Sequence, residues 1–179
     1  REVVNDDRRK CGTIVTVQNS AWTGSPVKEC IEYLHRFIPP NGIAMTVNGK
    51  TITPPDKKQV ISGRTLPTTI IKDGIQVEIQ SQSDIVLRHL KRGEKNGWVY
   101  EMGIPIQEID TKFHLDVQQR VPMNDNRDVV DAKYLPKLYA AVMANMIHTN
   151  SPDLDTDTLT EKWVLAGLDY AGWEAQAAY

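Results

Sequence analysis

Extended and helical signals are segregated along this chain, and that separation restricts the folds open to it more than any other feature. Between residues 43 and 121 the sequence is a succession of short β-branched runs broken by glycine or charged turns; after Pro122 apolar residues recur at helical spacing. Strands gathered first and helices gathered last predict an α+β fold, with a mainly antiparallel sheet and helices packed on it, and argue against alternating α/β. Strand alternation leaves one face of such a sheet polar, which predicts that helices cover one side only.

Local chemistry predicts the individual elements. Gly12-Thr13-Ile14-Val15-Thr16-Val17 alternates and predicts a strand over 12–18. Ser25 and Pro26 suit the cap and first position of a helix over 27–38, stopped by Pro39-Pro40, whose Cys30, Ile31, Leu34 and Phe37 should pack on the sheet. A strand over 43–47 leads into Asn48-Gly49, a two-residue hairpin signal, and 50–52 returns from it. From Val60 to Ile109 the pattern predicts a β meander with strands at 64–71, 74–80, 85–90, 98–102 and 104–109, and one more strand runs from Phe113 toward Val121. Helices are predicted at 132–148, with Leu135, Leu138, Tyr139, Val142 and Met146 as one stripe, and at 158–178. Both ends read as cut, because the first strand has no partner nearby in sequence and the last helix reaches Tyr179 without a stop signal.

Composition narrows the function classes. The 179 residues carry a formal charge of −2, with 40% hydrophobic and 25% charged residues and no apolar run near eighteen. A chain of this size buries roughly 70% of its unfolded surface, enough for one good core or two small ones. A membrane span and wholesale disorder are excluded, and near-neutrality gives no general drive toward nucleic acid or anionic membrane. No basic n-region followed by an apolar h-region opens the sequence. Cys11 and Cys30, too few for a disulfide framework and without Cys-x-x-Cys spacing, read as reduced, partly buried thiols in a cytoplasmic compartment, over a metal site or a bridge. His35, His89, His114 and His148 lack ligand spacing, and the H-E-x-x-H, P-loop, Gly-x-Ser-x-Gly and dinucleotide signatures are missing.

Three separated segments resemble the GHKL family, the ATPases that include the ninety-kilodalton heat-shock chaperone, MutL and type II topoisomerases. Gly12-Thr13, opening a β-branched strand, is similar to the glycine-threonine of a late strand in their ATP-binding domain. Tyr33-Leu34-His35-Arg36-Phe37-Ile38-Pro39 followed by 43–47 resembles the chaperone's helix and its returning strand. The strongest match is Val121-Pro122-Met123-Asn124-Asp125-Asn126-Arg127-Asp128, beside the middle-domain pattern Leu-Pro-Leu-Asn-x-Ser-Arg-Glu; upstream, residues 98–106 are similar to that domain's tyrosine-bearing strand. Asn126 stands where the family has serine, and Asp128 shortens its glutamate.

The resemblance spans roughly residues 11 to 130 and extends to phage-encoded relatives of that architecture. It implies the edge of an ATP-binding domain at 1–24, a transducer of ribosomal-protein-five domain-2-like fold at 25–130, and a helical continuation at 131–179. The family's Mg²⁺-holding Asn, adenine-reading Asp and glycine-rich lid are not in this sequence, so ATP and Mg²⁺ would enter only through an upstream ATP-binding domain, the implied partner. A homodimer is a further implied association.

Single residues then acquire functional and plain readings side by side. Arg127 is implied to reach the ATP γ-phosphate, with Asn124, Asn126 and Asp128 supporting its loop; the plain reading is a surface salt bridge to Asp125 or Asp128. Gly12 and Thr13 would contribute to the adenine pocket, or serve as ordinary strand residues. Gln119 and Arg120 read as loop supports or as an exposed strand face. Alternation places His114 on a solvent face, not as a base. Lys91-Arg92-Gly93-Glu94-Lys95 reads as a solvated basic turn, or as a contact to nucleic-acid phosphates in a non-catalytic binding module, the alternative function. Trp163, Tyr170 and Trp173 fit a packing stripe.

Overall fold

The computed structural model describes residues 25–124 and 129–177, so the predicted strand at 12–18 lies outside the described residues. Helix α1 (Ser25–Leu34) is followed by the small hairpin β1 (Thr46–Val47) and β2 (Lys50–Thr51). Five strands then build the main sheet: β3 (Lys57–Lys72), β4 (Ile75–His89), β5 (Gly97–Glu101), β6 (Ile104–Ile109) and β7 (Phe113–Val117). Helices α2 (Tyr134–His148) and α3 (Lys162–Ala177) close the chain. This is an α+β fold with a mostly antiparallel sheet.

The strand order is β3-β4-β7-β5-β6, so the region 60–109 is not a simple meander. β7 inserts between β4 and β5, pairing antiparallel with the first and parallel with the second. A central strand is favoured for 113–117 because all of its residues are buried, a position that the alternating Phe113-His114-Leu115-Asp116-Val117 pattern does not advertise. The predicted strands 74–80 and 85–90 are one strand, since Ser81 to Ser83 continue the ladder with β3 and Asp84 lies opposite its bulge, where Oδ1 accepts from Gly63 N–H. Asn48 and Asp73 both adopt positive φ ahead of a glycine, as two-residue hairpin turns require.

One face of the sheet presents Ile61, Leu66, Ile85, Leu87, Val99, Leu115 and Val117 to α2 and α3 in a common core with Leu138, Val142, Met146, Trp163 and Val164. Trp163 meets the rings of Phe113 and Tyr139 edge-on, at 5.4 and 6.0 Å between centroids. At Gly167 the two helices approach so closely that an added Cβ would sit 3.0 Å from backbone atoms of Tyr139 and Ala140. α2 stops in a Schellman motif: Asn150 takes φ +46°, its N–H bonds Ile147 O, and Ser151 N–H bonds Met146 O. The predicted helix 158–178 is divided, because Glu161 is extended between a 3₁₀ turn (Thr158–Thr160) and α3.

The opposite face is covered too, contrary to the one-sided expectation. α1 ends at Leu34, four residues short of its predicted end, and the chain then crosses this face as turns and loops, burying Ile38 and Ile52. Cys30 and Leu34 do not pack on the sheet; both are exposed, and Cys30 is a free, accessible thiol. The contact runs instead through Tyr33, whose ring lies edge-on to Trp98 and whose hydroxyl donates to Pro105 O, and through Arg36 stacked 4.7 Å over Trp98. The strand expected at 43–47 is confined to its last two residues. Among the described residues no helix is long and apolar enough to cross a membrane.

Candidate functional site

Two regions concentrate polar chemistry. The first is the 121–131 loop, where sequence placed the candidate Arg127. Its two arms form a short stem: Asn124 N–H donates to Val129 O, Asp131 N–H donates to Pro122 O, both at 3.0 Å, and Met123 bridges Val130. Sheet side chains pin both arms, Glu101 accepting from Val121 N–H at 2.8 Å and Gln107 from Val130 N–H at 2.9 Å. Val121 and Val130 are buried in the main core. The stem is therefore fixed at its base by hydrogen bonds from strands β5 and β6 and by apolar burial.

Of the residues singled out in this loop, Asn124 sits at the end of the stem, with its Oδ1 3.4 Å from Val129 N. Asn126, Arg127 and Asp128 lie outside the described residues, as do Gly12 and Thr13. Gln119 does support the approach to the loop, its Nε2 donating to the Leu66 and Pro67 carbonyls at 3.3 and 3.2 Å. Arg120 contributes its carbonyl, which accepts from the Thr68 hydroxyl at 2.9 Å.

The second region lies under α1 and was not legible in the sequence. His114, expected on a solvent face, is fully buried. Its Nδ1 accepts from Trp98 N–H at 3.1 Å, so the proton of the neutral ring sits on Nε2 and points at Glu94 Oε2, also 3.1 Å away. Burial pulls the His114 pKa below the ordinary 6.5 against the opposing attraction of Glu94. With both nitrogens engaged, the ring has no lone pair for a substrate. It is a tie between strands and turn, not a base.

Glu94 is the hub of that tie. Its carboxylate also accepts from Lys91 N–H at 2.8 Å and meets Arg36 at 3.4 Å, so the Lys91–Lys95 turn is anchored inward instead of being merely solvated. Beside it Arg88 is buried with Asp116: Nε and Nη2 reach Oδ2 at 3.3 and 3.1 Å, and Nη1 donates to Pro55 O at 3.1 Å. Asp116 Oδ1 accepts from Gly103 N–H at 3.0 Å, which satisfies the pair on both sides. Gly103 has φ +87°, and a Cβ there would stand 2.4 Å from Ile38 O, so this crossing needs glycine.

Among the described residues no group of three or more His, Cys, Asp or Glu side chains is placed to hold a metal ion. Comparison of the chain with protein-family models, curated proteins and solved structures gives no significant match.

Proposed function

We propose that this chain is the transducer part of a GHKL-type ATPase, coupling the nucleotide state of an upstream ATP-binding domain to movement of the polypeptide or its dimer. The reading rests on the ordered motifs described above, above all Pro122, Asn124, Arg127 and the acidic residue after it. The observation that supports it is the two-sided anchoring of the 121–131 stem by Glu101 and Gln107. A residue that must arrive at a phosphate held by another domain gains from a fixed platform, because orientation lost at the tip is rate lost in the reaction.

In this reading Arg127 donates its planar fork to the γ-phosphate when the domains dock, and ATP with Mg²⁺ is held upstream. ATP supplies the phosphoryl group, and this chain supplies positioning and one cation. In the polypeptide that includes the upstream domain, Arg127→Ala lowers ATP turnover on the order of a hundredfold while nucleotide affinity changes little. Unchanged turnover would reduce Arg127 to a surface ion pair. Sequencing the codons ahead of Arg1 tests the same reading independently, since it requires an Asn-bearing helix and a glycine-rich lid there.

A further inference from the structure

At the other end of the main sheet from the 121–131 stem, basic side chains from separate segments line one cleft. Register fixes the separation: Ile85 pairs with Val117 near the stem, whereas His89 pairs with Phe113 at the far end. The cleft there has a volume of about 440 Å³ and is lined by His35 after α1, by residues 53–56, and by His89 to Arg92 at the end of β4. Pro54, Pro55 and Leu90 supply apolar wall.

The charge balance of this cleft is set by where Glu94 goes. That acid belongs to the same turn as Lys91 and Arg92, yet its carboxylate is turned to His114, Arg36 and the Lys91 N–H. Lys91 and Arg92 line the cleft, and among the described residues Asp56 is the one carboxylate residue in its lining. Asp153, whose charge reaches His89, is already engaged by Lys58 at 2.7 Å. Burial lowers the Lys91 pKa; Glu94 opposes the shift and Arg36 adds to it. A half-buried ammonium whose neighbour Glu94 is also engaged by His114 and Arg36 is further stabilised by an incoming anion.

We infer that this cleft binds the phosphate group of a small anionic ligand, held by Lys91 and Arg92 with the imidazoles of His35 and His89 as further donors. Guanidinium matches two phosphate oxygens at once, ammonium adds a point charge, and an imidazole N–H donates in either charge state. Size favours a small molecule, since the volume falls within the range of such sites, roughly 300–1,000 Å³. A nucleic-acid backbone would call for an extended basic stripe, and this chain has a formal charge of −2. The site is independent of Arg127 and of the ATPase reading.

The test is an NMR titration of the chain with inorganic phosphate and then pyrophosphate at low salt. The expected result is saturable shifts confined to the amides of His35, His89, Lys91, Arg92 and their neighbours. Lys91→Gln and Arg92→Gln should each weaken binding roughly tenfold or more, and the double variant should not saturate. Lys91→Gln keeps the backbone bond to Glu94, and spectra unchanged outside the cleft establish that each variant is folded. Arg92, being exposed, gives the result alone if the Lys91 variant is perturbed. Absence of saturation by either anion, shifts elsewhere, or a double variant that binds normally would overturn the inference. So would binding of a single-stranded oligonucleotide through these residues when phosphate and pyrophosphate do not bind.

Discussion

Trp98 N–H decides what His114 does, because a ring nitrogen that accepts from a backbone donor must lose that bond to be protonated. The folded-state pKa lies below 6.5, so between that lowered value and 6.5 the unfolded chain binds more protons than the folded one. Stability is therefore full above about pH 6.5 and falls as pH drops through this window. Urea unfolding at a series of pH values should show that slope, and His114→Gln should flatten it; an equal slope in the variant would assign the effect elsewhere. The Arg88–Asp116 pair makes a second prediction. Arg88→Met strands a carboxylate that is only 3% exposed, at a cost of about 3 kcal/mol in urea unfolding, and a loss below about 1 kcal/mol would mean that solvent reaches Asp116. Neither group was readable from the sequence. Phe113-His114-Leu115-Asp116-Val117 has the pattern of a half-exposed strand, and only partners distant in sequence, Glu94 and Arg88, make its polar residues interior. No spacing rule joins position 94 to 114 or 88 to 116.

At the scale of elements, the β3–β4 ribbon has two regimes. Near its base Leu66 is fully buried against the helices, whereas toward the Asp73-Gly74 turn Ile70, Ile71, Ile75, Val77 and Ile79 are exposed on strands that, among the described residues, pair only with each other. Leu66→Ala should cost about 2–5 kcal/mol, and Ile71→Thr should stay within about 0.5 kcal/mol, by thermal or urea unfolding. A large loss at Ile71 would show that another surface covers the tip. Sequence patterning located β5, β6 and α2 closely, α2 through the strong periodicity of Leu138, Tyr139, Val142 and Met146, whereas β3 begins at Lys57, well ahead of its expected start at 64. It split β4 because Ser81, Gln82, Ser83 and Asp84 carry no apolar signal, although the backbone of the first three continues the ladder. It extended α1 to Ile38 because Phe37 keeps helical spacing, while the Phe37 N–H bonds Leu34 O in a turn. Strand order was out of reach, since local patterns do not state that β7 returns between β4 and β5.

At the scale of the whole molecule, the candidate site depends on a connection between the sheet and the loop that the sequence motif alone does not contain. Glu101 closes β5, is only 7% exposed, and accepts from Val121 N–H, the first donor of the stem. Glu101→Ala leaves that buried donor unpaired, an expected cost of roughly 1–3 kcal/mol, so the fold should survive with a lower melting temperature while the stem loosens. If Arg127 acts on the phosphate from this platform, then in a polypeptide that carries the proposed upstream ATP-binding domain Glu101→Ala should reduce turnover more than nucleotide affinity. The two changes should also be non-additive: once Arg127 is alanine, loosening its platform has nothing further to misplace. The decisive measurement is a double-mutant cycle on steady-state ATP turnover, run below the melting temperature of every variant. A Glu101 effect that persists in full on the Arg127→Ala background would mean that Glu101 serves only the fold. An effect that vanishes there would tie the buried carboxylate, the stem and the arginine into one unit, with the sheet as the lever that aims it.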